Sequence, residues 1–472
     1  MLVQFNKIYR LLMAGALLVT AGCSDAGNSS FVYGPSTLAL IHEAQNGIDD
    51  LPGVRKLVDV RFGDPQHLRA WSRLPIDAGG TFGSVAEIPA ASDDVKKLKL
   101  SFEDSIDLFT DEIHRLQFIT GDAAVGEDGP LDVAVISWDS ESGIAQLQNK
   151  LEVIPAEGDR VILDGGTMLQ RGRLLYQRHC SHCHGTSGDG AGPTAGYLRP
   201  RPRDYRHGVF KFTRTQAAAK ARREDLKRIL RNGVPDTYMP SFVPMLAEEE
   251  LDVVVEYIRF LAMRGEFERR LAAELAADFS DAVVATRVEG GEKRREIVTE
   301  LNEVLAEDIN ESLEFVSGSL ADAWGESDTE DTLIIPSVPR VPNSLESRQL
   351  GRELFLSKDL ACSDCHGIDG RGDGPQTTIF EENPVTKEFY DEPGLHDIWD
   401  NVNQPRNLTR GVYRGGRRPI DLFSRIHGGI KGTRMPSFKN LEHEKIWHVV
   451  NYVLSIPFET EPGRAAAPTN SE

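Results

Sequence analysis

The chain has 472 residues, a net charge of −20 and five cysteines. Its length allows about three domains. The acid excess argues against a nucleic-acid partner and suits steering of a protein with a basic patch. Beyond one short run near the start, no stretch is apolar and long enough to span a bilayer, which excludes a helical membrane architecture.

Lys7 and Arg10 precede the apolar run from Leu11 to Val19, which ends in Thr20-Ala21-Gly22-Cys23. A basic start, a short apolar core and small residues before a cut make an export signal over residues 1–22. The four residues resemble a bacterial lipobox, which implies cleavage before Cys23 and lipid on its thiol; Thr20 departs from the usual aliphatic residue. A plain signal peptide with an unmodified Cys23 is the alternative. Residues 23–30 read as a tether, so the expectation is an exported, periplasmic protein, lipid-anchored to the bacterial cytoplasmic or outer membrane.

Residues 31–160 give mixed signals. A helix is expected around Thr37 to Gln45, strands at Val54 to Phe62 and Leu131 to Trp138, and a hairpin from Leu151-Glu152-Val153-Ile154 with Gly158 to Leu163. This is read as a small α/β accessory or docking domain without recognisable chemistry. His42, His67 and His114 are scattered and read as ordinary surface or packing residues.

Two copies of Cys-x-x-Cys-His follow, Cys180-Ser181-His182-Cys183-His184 and Cys362-Ser363-Asp364-Cys365-His366. This spacing lets two thiols bond the vinyl groups of one haem while the adjacent imidazole takes the iron. Structural zinc and a thioredoxin-like pair are the other readings. Zinc gives no reason for a His directly after each pair, and neither site has a βαβ context. Five cysteines then divide into four haem anchors and Cys23, leaving no thiol for a disulfide.

The surroundings of the two motifs repeat. Gly172-Arg173-Leu174-Leu175-Tyr176 answers Gly351-Arg352-Glu353-Leu354-Phe355, each a helix delivering its cysteines. Gly192-Pro193 answers Gly374-Pro375, and Pro202-Arg203-Asp204-Tyr205 answers Pro405-Arg406-Asn407-Leu408. Met239-Pro240-Ser241-Phe242 answers Met435-Pro436-Ser437-Phe438. A thioether opposite the His closes the iron and favours Fe(II). Met239 and Met435, each six residues after a glycine, are the expected axial partners of His184 and His366. Met245 competes in the first unit, and His207, His396 and His427 are candidates for a bis-His site. Arg203 and Arg406 suit haem carboxylates, or simply face solvent.

The stretch between the repeats, residues 264–340, holds 19 acidic against 8 basic residues, a net of −11. Helical spacing from Glu266 to Asp278 and from Glu292 to Trp324 reads as a solvated helical face, with a spacer or partner-binding hairpin as the sharper alternative. The tail after Pro457 reads as disordered.

Both repeated segments resemble class I c-type cytochrome domains, over about 165–264 and 344–458. The resemblance implies a small helical fold around each haem; with the readings above, the expected fold is mainly α, two helical cytochrome domains joined by an acidic helical insert at 265–343, preceded by the small α/β domain and followed by a tail at 459–472. It implies two covalently bound haem c, with Cys180, Cys183, Cys362 and Cys365 as thioether anchors and His184/Met239 and His366/Met435 as axial pairs. It also implies that the carbonyl of Pro193 or Pro375 accepts the Nδ1 proton of its His. The second unit departs by three extra residues before Cys362 and a longer acidic loop from Phe380 to Asp400. The expected function is relay of single electrons between redox protein partners such as a cytochrome, oxidase or dehydrogenase. A dihaem enzyme of peroxidase or thiosulfate dehydrogenase type, and a subunit of a larger respiratory or dehydrogenase complex, are the alternatives.

Overall fold

The computed structural model describes residues 30–45, 53–88, 96–102, 114–119 and 131–458. The expected export signal, Cys23, the expected tether up to Ser29 and the tail from 459 lie outside the described residues, as does part of the accessory segment. Two short helices, α1 (Pro35–Gln45) and α2 (Val54–Phe62), open the described chain. Six strands follow: β1 (Thr81–Glu87), β2 (Lys97–Phe102), β3 (His114–Phe118), β4 (Asp132–Asp139), β5 (Ile144–Leu147) and β6 (Arg160–Leu163). They close into an antiparallel barrel of order β1-β2-β5-β4-β3-β6. Alternating residues fill it, with Val85, Leu98, Leu100, Leu116, Phe118, Val133, Val135, Val161 and Leu163 buried. Closure leaves no exposed sheet edge.

The structure revises the reading of residues 31–160. Val54 to Phe62 is a helix rather than a strand: Val54, Val58 and Phe62 are buried one turn apart, and the Phe62 ring meets Phe260 and Phe267 at 5.6 Å. Burial on one helical stripe outweighs the β preference of the valines. The segment Leu151 to Ile154 forms no strand, and β6 pairs instead with β1 and β3. The small domain is therefore a β-barrel rather than an α/β unit. Helices α1 and α2 belong to the core of the first repeat, where Phe31, Ile41, Val58 and Phe62 pack with Phe260 and Phe267.

The first repeat continues with α3 (Thr167–His179), the motif helix α4 (Ser181–His184), α5 (Arg223–Asn232) and α6 (Glu248–Phe279). Glu248, Glu249 and Glu250 occupy the first turn of α6, where the helix dipole favours acids, and the Glu250 carboxylate accepts the Ala247 N–H. Helix α6 runs unbroken through residue 264, past the expected end of the first unit. The insert adds α7 (Asp281–Glu289) and α8 (Arg294–Glu326). It is no detached spacer: Ile297, Leu301, Leu305, Leu313, Val316, Leu320 and Trp324 are buried in the first unit's core. Some acids expected in solvent are buried too. Glu266 accepts from Lys220 at 2.7 Å and from the Trp324 indole at 3.0 Å, and Glu268 pairs with Arg264 at 2.7 Å.

The second repeat comprises α9 (Leu345–Leu356), α10 (Cys362–His366), α11 (Pro419–Gly428) and α12 (His443–Ser455) around a core of its own that includes Phe355, Leu422, Phe423, Trp447 and Tyr452. The repeated glycines have one steric cause. A Cβ on Gly172 would lie 2.7 Å from the Val253 carbonyl oxygen, and on Gly351 2.0 Å from that of His448. Each lets its N-terminal helix press against the C-terminal helix of the same unit.

Candidate functional site

The two motifs are built alike down to single hydrogen bonds. The Gly190 and Gly372 N–H groups donate to the carbonyls of His184 and His366 at 2.9 and 2.8 Å; Gly192 and Gly374 donate to Cys183 and Cys365 at 3.2 and 3.1 Å. The methionine loops repeat as closely. Val234 and Ile430 donate to the carbonyls of Met239 and Met435 at 3.0 and 3.2 Å, and the Met N–H groups donate to Thr237 and Thr433 hydroxyls at 3.1 Å. Ser241 and Ser437 hydroxyls tie the loops back to the ends of α5 and α11. The chain thus fixes both thioethers by the same backbone device.

All eight expected ligands face one cavity of about 810 Å³: Cys180, Cys183, His184 and Met239 from the first unit, Cys362, Cys365, His366 and Met435 from the second. That is within the size range of ligand clefts. Met245 also lines it, at 48% exposure. His207, His396 and His427 do not line it. His396 is buried and stacked on Tyr390 at 3.7 Å, His207 packs on Trp399, and His427 packs against Phe423 and His443.

The electrostatics favour neutral donors. Burial pushes the His184 imidazole down to about 4 and lowers His366, so both rings are uncharged at neutral pH. Their Nδ1 protons go to the carbonyls of Arg203 (3.1 Å) and Arg406 (3.3 Å), leaving Nε2 with its lone pair toward the cavity. These acceptors replace the expected Pro193 and Pro375, because the chain doubles back to set residues 203 and 406 beside the rings. Tyr205 stacks on His184 at 4.8 Å. Burial raises the Cys180 and Cys362 thiols to about 12, so these two are protonated at neutral pH. Among the described residues no group of three or more His, Cys, Asp or Glu is arranged to hold a metal ion.

Although the chain is acidic, the cavity wall is basic: Arg203, Lys211, Arg406, Arg414, Arg425 and Arg434 line it against Asp225. Burial lowers Lys211 to about 8 and Arg425 to about 10; Lys211 pairs with Asp397 at 2.8 Å, and Arg425 donates to the carbonyls of Asp421, Arg414 and Gly416. Sequence reasoning found Arg203 and Arg406 by their place in the repeat. It missed Lys211, Arg414 and Arg425, although Lys211 and Arg414 follow Gly208-Val209-Phe210 and Gly411-Val412-Tyr413 at matching positions. Paired thiols, a neutral imidazole, a thioether and cations for carboxylates fit one haem in each half of the cavity.

Such a donor set, written twice on small helical units, defines a haem protein of the c-type cytochrome class. Residues 167–258 match the family described as cytochrome c oxidase, cbb3-type, subunit III, and residues 349–457 match the cytochrome c family. The chain thus carries two cytochrome c-type domains in tandem, which support a dihaem class I c-type cytochrome and imply haem c binding. No curated protein matches the chain. A solved structure of a reducing HAO-like protein complex from Kuenenia stuttgartiensis aligns at 23% identity and a TM-score of 0.41, over 61% of this chain and 96% of that one.

Proposed function

We propose that the protein relays single electrons between redox partners through two covalently attached haems, held by Cys180/Cys183 and Cys362/Cys365, with His184/Met239 and His366/Met435 as axial pairs. The observation that carries this reading is the common cavity: both donor sets line the same cleft, so an electron entering one unit would have a short path to the other. Bound there, each haem supplies one Fe(III)/Fe(II) couple. The protein's residues would do the rest: His184 and His366, kept neutral by burial, and Met239 and Met435 would hold the iron, and the basic wall would offset the charge of the haem carboxylates. With Met239 and Met435 as the sixth ligands, neither iron would keep a vacant position for peroxide or thiosulfate, which favours the relay over the enzyme.

The export signal and the lipobox-like Thr20-Ala21-Gly22-Cys23 support a periplasmic protein anchored by lipid on Cys23. Among the described residues no helix is long and apolar enough to cross a membrane. Fatty-acid labelling of wild type and Cys23→Ser should mark the first alone. For the relay, the reduced, fully haem-loaded protein should pass electrons rapidly to a small oxidised c-type cytochrome. Carbon monoxide binding to one reduced haem without displacing its methionine, or rapid turnover of peroxide, would overturn it.

A further inference from the structure

The two cytochrome units are locked together by contacts that begin at the carbonyls holding the proximal imidazoles. In the second unit, the Arg406 carbonyl accepts the His366 Nδ1 proton, while its guanidinium donates across the interface to Asp236 Oδ2 at 2.5 Å. Asp236 stands three residues before Met239, inside the first unit's methionine loop, at a left-handed φ of 58°. Arg414 donates to the Asp236 carbonyl at 3.4 Å.

The opposite direction is built from the matching positions. The Arg203 carbonyl accepts the His184 Nδ1 proton, and the Arg203 guanidinium lies 3.7 Å from the ring centre of Trp399 in the second unit. The Trp399 indole N–H donates to the carbonyl of Asp204 at 3.2 Å, so both ends of the Arg203–Asp204 segment are pinned. The far edge of the same ring packs on Gly432, where a Cβ would stand 2.8 Å from it, and the Ile398 N–H donates to the Gly432 carbonyl at 3.1 Å. Gly432 is three residues before Met435, the position equivalent to Asp236.

We infer that Arg406–Asp236 and Arg203–Trp399–Gly432 are reciprocal positioning links, each coupling the proximal histidine of one unit to the distal methionine loop of the other. The inference rests on the axial assignments proposed above. A hydrogen bond from Nδ1 makes the imidazole a stronger donor to iron and holds the Fe(III) state, so anything that loosens the acceptor carbonyl raises the potential of that haem. Residues of one unit therefore set the potential of the haem in the other.

The test uses the full-length, haem-loaded protein and reads the solvent exchange of each histidine Nδ1 proton by NMR together with the two midpoint potentials, assigned to their domains with Met239→His and Met435→His. Asp236→Ala, a change in the first unit, should speed exchange at His366 at least tenfold and raise the potential of the second-unit haem, leaving the His184 proton slow. Asp236→Glu should restore both. Trp399→Leu should do the converse, loosening the His184 proton. Arg410 also pairs with Asp236, at 3.6 Å, but its carbonyl holds no histidine; Arg410→Gln therefore controls for charge alone. Unchanged exchange at His366 in Asp236→Ala, or the same shift in Arg410→Gln, would overturn the inference. Failure of the axial reading is seen separately, as absence of the methionine–iron charge-transfer band in the oxidised wild type.

Discussion

Gly351→Ala is the sharpest test of the fold that carries the second haem site. A Cβ at this position would stand 2.0 Å from the His448 carbonyl oxygen, 2.6 Å from its carbon and 2.8 Å from Tyr452 Cβ. Carbon and carbonyl oxygen tolerate about 3.3 Å, so α9 and α12 must separate by more than about 1 Å. The clash is with backbone, which cannot rotate away. Overpacking of this kind costs about 1–3 kcal/mol, and the short distance places it at the upper end. Alanine is also the better helix former, by about 1 kcal/mol. The expected net is a loss of about 2 kcal/mol, roughly 30-fold in the unfolding equilibrium. The separation would also loosen Phe355 against Tyr452, now 5.4 Å apart, and the Ser347–His448 hydrogen bond of 2.8 Å. Urea denaturation of variant and wild type at equal haem loading, followed at Trp447 and by haem absorbance, measures it. A stabilised Gly351→Ala would mean that helix propensity wins, that the helices are not in contact there, and that the reasoning fails.

Four further outcomes are expected. Cys183→Ala and Cys365→Ala should each remove one thioether bond, seen as an altered haem spectrum of one domain, with mass spectrometry showing two haems on the wild type. Met239→His or Met435→His should lower the potential of one haem and leave its attachment intact, as redox titration would show. Burial raises the Glu268 carboxyl from its ordinary 4.5 to about 7, despite Arg264 beside it. The folded state then binds the extra proton between those values, so the contribution of Glu268 is full below about pH 4.5 and is lost as pH rises to about 7, on the order of 3 kcal/mol; Glu268→Gln should flatten that part of the stability profile. Finally, Glu303, Glu307 and Glu311 lie exposed on α8. Replacing all three with lysine should slow electron transfer to a basic partner and weaken its dependence on ionic strength, in stopped-flow measurements across a salt series.

The sequence alone determined the two Cys-x-x-Cys-His motifs, their methionine loops and their duplication. Spacing of Cys, Cys and His is a local property, as are the Met-Pro-Ser-Phe loop and the acid-capped helix behind it, and each can be read without knowing what packs where. Tertiary structure decided what depended on distant partners. Val54, Val58 and Phe62 look like a β segment until Phe260 and Phe267 offer a helical stripe to bury. The acids of the insert look solvated until Lys220 and Trp324 arrive from other elements to satisfy Glu266, and until packing buries Glu268 with Arg264 one turn back on the same helix. The acceptor for each motif histidine lies 19 residues from His184 and 40 from His366, so only the closed loop identifies it. The common cavity is the plainest case. Each motif specifies one site by short-range chemistry, but that both sites face the same space is settled by the interface of Arg203, Asp236, Trp399 and Arg406, residues separated by up to two hundred positions and joined only by folding.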